Sequence, residues 1–116
     1  MYAGMTIQLT AYERKQIEKV RAYIDEHLDE GLNAEDMALQ WDISVYKLKA
    51  GIRQLCGKSF SLYLKERRLQ KGRELLLNSN KIIYEIAKDC GYKDETGFYR
   101  AFRKYFGQTP DDFRKQ

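Results

Sequence analysis

Two stretches of this chain, about fifty residues apart, carry the same apolar positions in the same order. Met37-Ala38 falls on Ile86-Ala87 at an offset of 49. Beyond the turn the offset becomes 50, placing Leu48 on Phe98, Ile52 on Phe102, Gly57 on Gly107 and Tyr63 on Phe113. Each copy reads as a short helix, a turn, and a second helix with an apolar inner face and a basic outer face. That is the pattern of a helix-turn-helix whose second helix lies in a DNA major groove. The second copy is the better written, running from Ile86 through Gly91-Tyr92 to Thr96 and on to Gly107. Its duplication constrains the chain more than either copy does alone.

Local signals divide the rest into helices. Thr10 and Glu13 form a capping box, and Ile17, Val20, Ile24 and Leu28 follow at three- and four-residue spacing as the stripe of a first helix, which Gly31 can end in the left-handed conformation. Asn33 caps a short second helix that carries Met37, Ala38 and Trp41 inward. Ser44 caps a third, with Leu48, Ile52 and Leu55 inward and Gly57 at its end. From Ser59 or Ser61 a longer helix runs to about Leu77, with Leu62, Leu69, Leu76 and Leu77 as its buried stripe. Roughly 17 residues at about 1.5 Å each make a strut of about 25 Å, somewhat short of a DNA turn of about 34 Å. Ile86 and Ala87 face inward on a fifth helix. Asp94 caps a sixth, on which Phe98, Phe102, Tyr105 and Phe106 face the core, and Thr109-Pro110-Asp111-Asp112 starts a seventh. The expected fold is therefore all-α, with about seven helices in two helix-turn-helix subdomains joined by a linker helix. The expected layout is a loose tail at 1–8, a first subdomain at 9–58, the linker at 59–78 and a second subdomain at 79–116.

Charge and composition narrow the function classes. The formal net charge is +4. Residues 1–30 hold four basic and six acidic side chains, residues 31–80 nine and five, and residues 81–116 eight and six. The positive excess therefore lies with the two motifs and the segment between them, which fits a polyanionic partner and equally a solvated charged surface. No run of about 18 apolar residues is present to span a membrane, and the first five residues lack the pattern of a signal peptide, so the cytoplasm is the expected location. Cys56, Cys90 and the lone His27 are too scattered for a metal site, and both thiols are expected to be free packing residues. No nucleophile–base, phosphate-loop or dinucleotide pattern occurs, so neither catalysis nor a cofactor is expected.

Taken together, these residues resemble the DNA-binding domain of the AraC/XylS family of bacterial transcription regulators. The resemblance covers about residues 17–114 and is carried by Arg68-Leu69 through Leu75-Leu76, Glu85-Ile86-Ala87, Gly91-Tyr92, Phe98 to Lys104, Gly107-Gln108-Thr109-Pro110 and Phe113-Arg114. It implies two homeodomain-like three-helix units, binding to promoter DNA, contact with RNA polymerase, and an activating role. The isolated domain is expected as a monomer. The run Lys47 to Arg53 is similar to the siderophore-responsive subgroup. Four positions depart from the family pattern. Asp42 stands where glycine is usual, Ala50-Gly51 replaces an arginine and a large apolar residue, and Ile82 replaces a capping hydroxyl residue.

With Leu48, Ile52 and Leu55 inward, Tyr46, Lys49, Ala50 and Arg53 fall on the outer face of the third helix. By the same spacing Thr96, Tyr99, Arg100 and Arg103 face outward on the sixth, with Glu95 at its start. Early residues of a recognition helix reach base edges, whereas later and flanking ones hold phosphates. The expected base readers are Tyr46, Lys49, Glu95, Thr96 and Arg100. The expected phosphate contacts are Ser44, Lys47, Arg53, Tyr99, Arg103 and Lys104. Against this stands the alternative of a protein-interaction module whose basic face meets an acidic protein. A DNA-repair enzyme carrying such a domain would need a reactive cysteine cluster, which the chain does not show.

Overall fold

The computed structural model describes residues 7–115. Seven α-helices and no strand occur among them: α1 (Ala11–Glu26), α2 (Ala34–Gln40), α3 (Val45–Cys56), α4 (Phe60–Asn78), α5 (Ile83–Asp89), α6 (Glu95–Phe106) and α7 (Pro110–Arg114). The helix starts follow the caps in the sequence. The side chains of Thr10, Asn33, Ser44, Asp94 and Thr109 each accept from the amide three residues on, and Pro110 takes the first position of α7. Ile82 supplies no such bond to α5, and only the reverse half of the box is made, from the Ile82 amide to Glu85 Oε1 at 3.4 Å.

The chain packs as two units. The first comprises the chain through His27 together with Leu32–Leu64, and the second Leu28–Gly31 with Lys65 onward. In the first unit Ile17, Val20 and Ile24 of α1, Met37 and Ala38 of α2, Leu48 and Ile52 of α3, and Phe60, Tyr63 and Leu64 at the start of α4 are all buried, with α3 packed on both α1 and α2. Gly51 permits a close approach here, since a Cβ at this position would lie 2.3 Å from Ile17 Cδ1. The turn between α2 and α3 is tied to α1 by Gln16 Nε2, which donates to Trp41 O at 2.6 Å. Asp42 takes a left-handed φ of 52°, with its carboxylate accepting from Tyr12 Oη at 3.3 Å. The departure from glycine thus keeps the left-handed turn, which aspartate tolerates better than most residues.

In the second unit Leu69 and Leu76 of α4 pack with Ile86, Ala87 and Cys90 of α5, Phe98 and Phe102 of α6, and Phe113 of α7. Burial pushes the Cys90 thiol up to about 12, so it is a packing group, not a nucleophile. Two arginines lock this unit to backbone carbonyls. Arg114 donates from Nε to Leu76 O at 3.1 Å, from Nη1 to Lys81 O at 2.5 Å, and from Nη2 to Ser79 O at 3.1 Å and Leu75 O at 3.4 Å. Arg68 donates from Nε to Leu28 O at 3.0 Å and from Nη2 to Glu30 O at 2.7 Å. Gly91, at φ 92°, sits under that second clamp.

Several expectations are corrected. Gly31 does not end α1; the helix stops at Glu26 with His27 as its C-cap, and the glycines at positive φ among the described residues are Gly57, Gly91 and Gly107. Leu62 (41% exposed) and Leu77 (52%) lie outside the buried stripe of α4, and Tyr105 (40%) sits at the rim of the second core. At 100° per residue the buried positions of the first turn of α4 (Phe60, Tyr63, Leu64) and those of the rest (Leu69, Gly72, Leu76) fall on roughly opposite faces. No single leucine stripe can serve both. The helix is also not a separate linker, because its first turn belongs to one unit and the remainder to the other. Most of the expected tail lies outside the described residues, but Ile7 and Gln8 are held. The Ile7 amide donates to Gln54 Oε1 at 2.9 Å, and Gln8 O accepts from Lys47 Nζ at 3.0 Å.

Candidate nucleic-acid interface

The exposed face of α6 carries Glu95, Thr96, Arg100 and Arg103, with Tyr99 half-buried among them. Glu95, Thr96, Tyr99 and Arg100 line one shallow concavity. Arg100, Arg103 and Lys104 have no ion pair among the described residues, so three cations stand available to a polyanion. The face is fixed from behind by aromatic packing: Phe98 and Phe102 are fully buried, with ring centroids 5.6 Å apart, and Phe102 meets Phe113 at 5.7 Å. Tyr99 Oη donates to Asp111 Oδ2 of α7 at 2.7 Å, which with the carboxylate's charge holds the phenol above its ordinary pKa.

The corresponding face of α3 is more encumbered. Tyr46, Lys49 and Arg53 are exposed on it, and Ser44 caps the helix at its start. Lys49 Nζ lies 3.3 Å from Glu35 Oε2 of α2, an exposed pair worth little in stability but sufficient to place the ammonium. Its own backbone amide first, and then the Lys49 contact, hold the Glu35 carboxyl below its usual range. Lys47 is less free than the sequence implied. Its ammonium bonds Glu13 Oε1 at 3.1 Å as well as Gln8 O, bracing α3 against the start of α1. Ala50 is corrected outright: it is 3% exposed. Residues 7–9 run along the stripe of Lys47, Ala50, Gly51 and Gln54, with Leu9 Cδ1 3.6 Å from the Cβ position of Gly51. Alanine there is a packing residue and not part of the outer face.

The repeat makes one further region visible. Lys49 and Arg53 share a concavity with Ser59, Phe60 and Ser61 at the start of α4. The offset of 50 maps Ser59 on Thr109 and Ser61 on Asp111, both neighbours of Tyr99. Sequence reasoning passed over Ser59 and Ser61 as helix-start residues, although that offset pointed to them.

Comparison with known proteins agrees with this geometry. A family model described as "Helix-turn-helix domain" matches residues 37–116. The regulatory protein SoxS of Escherichia coli K12 is 34% identical over 101 residues, which cover 87% of this chain and 94% of SoxS. The chain belongs to the AraC/XylS family of transcription regulators. Among solved structures, the C-terminal domain of AraT, a response regulator from Geobacillus stearothermophilus, superposes with a TM-score of 0.82 at 32% identity, covering 94% of this chain and 88% of that one. The DNA-binding domain of AdpA, a global transcriptional factor solved in complex with a target DNA, gives 0.81 at 26% identity, covering 86% and 90%.

Proposed function

We propose that this chain binds double-stranded promoter DNA sequence-specifically as a bacterial transcription activator, with α3 and α6 each presenting its outer face to a major groove. The observation that carries this reading is the α6 face, where Arg100 and Arg103, without an ion pair among the described residues, stand with Glu95 and Thr96 over a buried aromatic core. Arg100 is the leading base reader, because a guanidinium can bond guanine O6 and N7 together. Tyr46, Lys49, Glu95 and Thr96 are the other base candidates. Arg53, Arg103, Lys104 and the Ser44 hydroxyl hold backbone phosphates. The duplicated unit supports occupation of two adjacent grooves by a single chain on a non-palindromic site, and any mismatch with the DNA pitch is taken up by bending the duplex. The chain acts by binding and not by catalysis, as a monomer in the cytoplasm, and meets RNA polymerase at the promoter.

The test is titration of fluorescent duplexes at several salt concentrations. With about three cations on phosphates, the logarithm of the affinity falls with the logarithm of salt at a slope of about −3. Arg103→Ala weakens all sequences alike and reduces that slope by about one. Arg100→Ala relaxes preference at one base pair by about 1–3 kcal/mol. Absence of any duplex binding at low salt would sink the proposal and favour an acidic protein as the partner of the basic face.

A further inference from the structure

The hydrogen bond from Tyr99 to Asp111 changes what Tyr99 offers a DNA groove. A phenol has one proton to donate and lone pairs with which to accept. Here the proton is directed at Asp111 Oδ2, 2.7 Å away, within the range of a charge-assisted bond. The Thr109 hydroxyl is a second polar neighbour of the Tyr99 oxygen, so one of the phenol's lone pairs is left as an outward acceptor, polarised further by the carboxylate behind it. A phosphate oxygen is itself only an acceptor and is negatively charged, so it meets an acceptor backed by a negative charge. The phosphate role that the sequence suggested for Tyr99 therefore does not fit its surroundings.

A base edge does fit. In the major groove adenine N6 and cytosine N4 present amino donors, whereas thymine O4 and guanine O6 present acceptors. Tyr99 lines the same concavity as Arg100, Glu95 and Thr96, on the face proposed to read bases. The first unit provides the contrast. The offset of 50 places Lys49 at the position of Tyr99 and Ser61 at that of Asp111. Lysine only donates. One register position thus carries a donor in one unit and an acceptor in the other.

We infer that Tyr99, held by Asp111, is a specificity-determining residue that accepts a hydrogen bond from a base amino group and so selects adenine or cytosine over thymine or guanine at one position of the site. This rests on the DNA-binding reading above, with α6 in the major groove. Asp111 acts through Tyr99 as a positioning residue.

The experiment uses the preferred duplex selected by the intact chain from a random pool, together with its single-base variants. It also uses a duplex in which the facing amino group alone is removed, by purine in place of adenine or 2-pyrimidinone in place of cytosine. Removing that amino group should cost the unaltered chain about fivefold to tenfold in affinity. Tyr99→Phe should show the same loss on the natural duplex and none further on the amino-deleted one, with an unchanged salt slope. Asp111→Asn, which keeps an acceptor for the phenol proton, should retain the preference, while Asp111→Ala should shrink it. The inference is overturned if Tyr99→Phe weakens every duplex by the same factor, or changes none while Arg100→Ala still relaxes preference at its own base pair. Failure of the unaltered chain to bind any duplex would overturn the DNA-binding reading and this inference together.

Discussion

Replacing Arg114 by alanine is expected to destabilise the second unit by about 3 kcal/mol. The guanidinium reaches four carbonyls, those of Leu75 and Leu76 in the last turn of α4 and those of Ser79 and Lys81 in the connection to α5. The last carbonyls of a helix have no partner within it, and a cation at that end is also favoured by the helix dipole. Alanine would remove every one of these donors at once and release the tie between α7 and the end of α4. Because the donors are spread over a planar fork, Arg114→Lys should recover less than half of the loss, a single ammonium being unable to reach carbonyls so disposed. Urea unfolding followed by circular dichroism measures both variants. A loss below about 1 kcal/mol for Arg114→Ala would show that water replaces the guanidinium at little cost.

Gly91→Ala should cost at least as much, through a different mechanism. At φ 92° the backbone lies where side chains are strained, and a Cβ would stand 2.1 Å from Leu28 O and 2.7 Å from Arg68 Nε. The first of these atoms is backbone and cannot swing aside. Strain of about 1–2 kcal/mol and overpacking of about 1–3 kcal/mol add up to roughly 4 kcal/mol, and the bond from Arg68 to Leu28 O should be displaced as well. The control is Asp42→Gly at the equivalent turn, where φ is 52°. Glycine relieves the left-handed strain there but forfeits the contact with Tyr12, so the change should stay within about 1 kcal/mol. Thermal unfolding of the two variants side by side decides the matter. Equal, small effects would mean that the crowding at Gly91 relaxes easily.

The features legible in the sequence are those whose partners lie within one helical turn. The capping side chains of Thr10, Asn33, Ser44, Asp94 and Thr109 bond amides three residues away, and that spacing is written in the sequence itself. The inner aromatics Phe98 and Phe102 were equally plain, because a single core covers them. Tyr105 was misplaced because it stands in the last turn of α6, where its ring packs edge-on to Phe106 at 4.8 Å but its polar end stays wet. Leu62 and Leu77 were misplaced because α4 changes its buried face where it passes from one unit to the other, which no constant period describes. In the candidate site the outward positions on α3 and α6 followed from helical periodicity. What periodicity omits is occupancy: Glu13 on Lys47, Glu35 on Lys49, Asp111 on Tyr99, and residues 7–9 beside Lys47, Gly51 and Gln54. Those partners are distant in sequence or lie on another element. The arginine clamps were hidden for a related reason, since their acceptors are main-chain carbonyls, which every residue has and no residue type announces.

Arg68 and its two acceptors bear on how the molecule can be divided. Leu28–Gly31 lies in the chain between α1 and α2 of the first unit, yet it is counted with the second, where Leu28 is buried and both clamped carbonyls reside. No single cut therefore yields an intact second unit. A fragment begun at Lys65 would leave Arg68 without its acceptors and expose the site that Leu28 fills. The same geometry orders events during synthesis: the first half of the chain emerges holding a piece of the second half's packing, which stays unmatched until Arg68 and Gly91 arrive. The duplication visible in the sequence thus gave two motifs but not two independently removable modules.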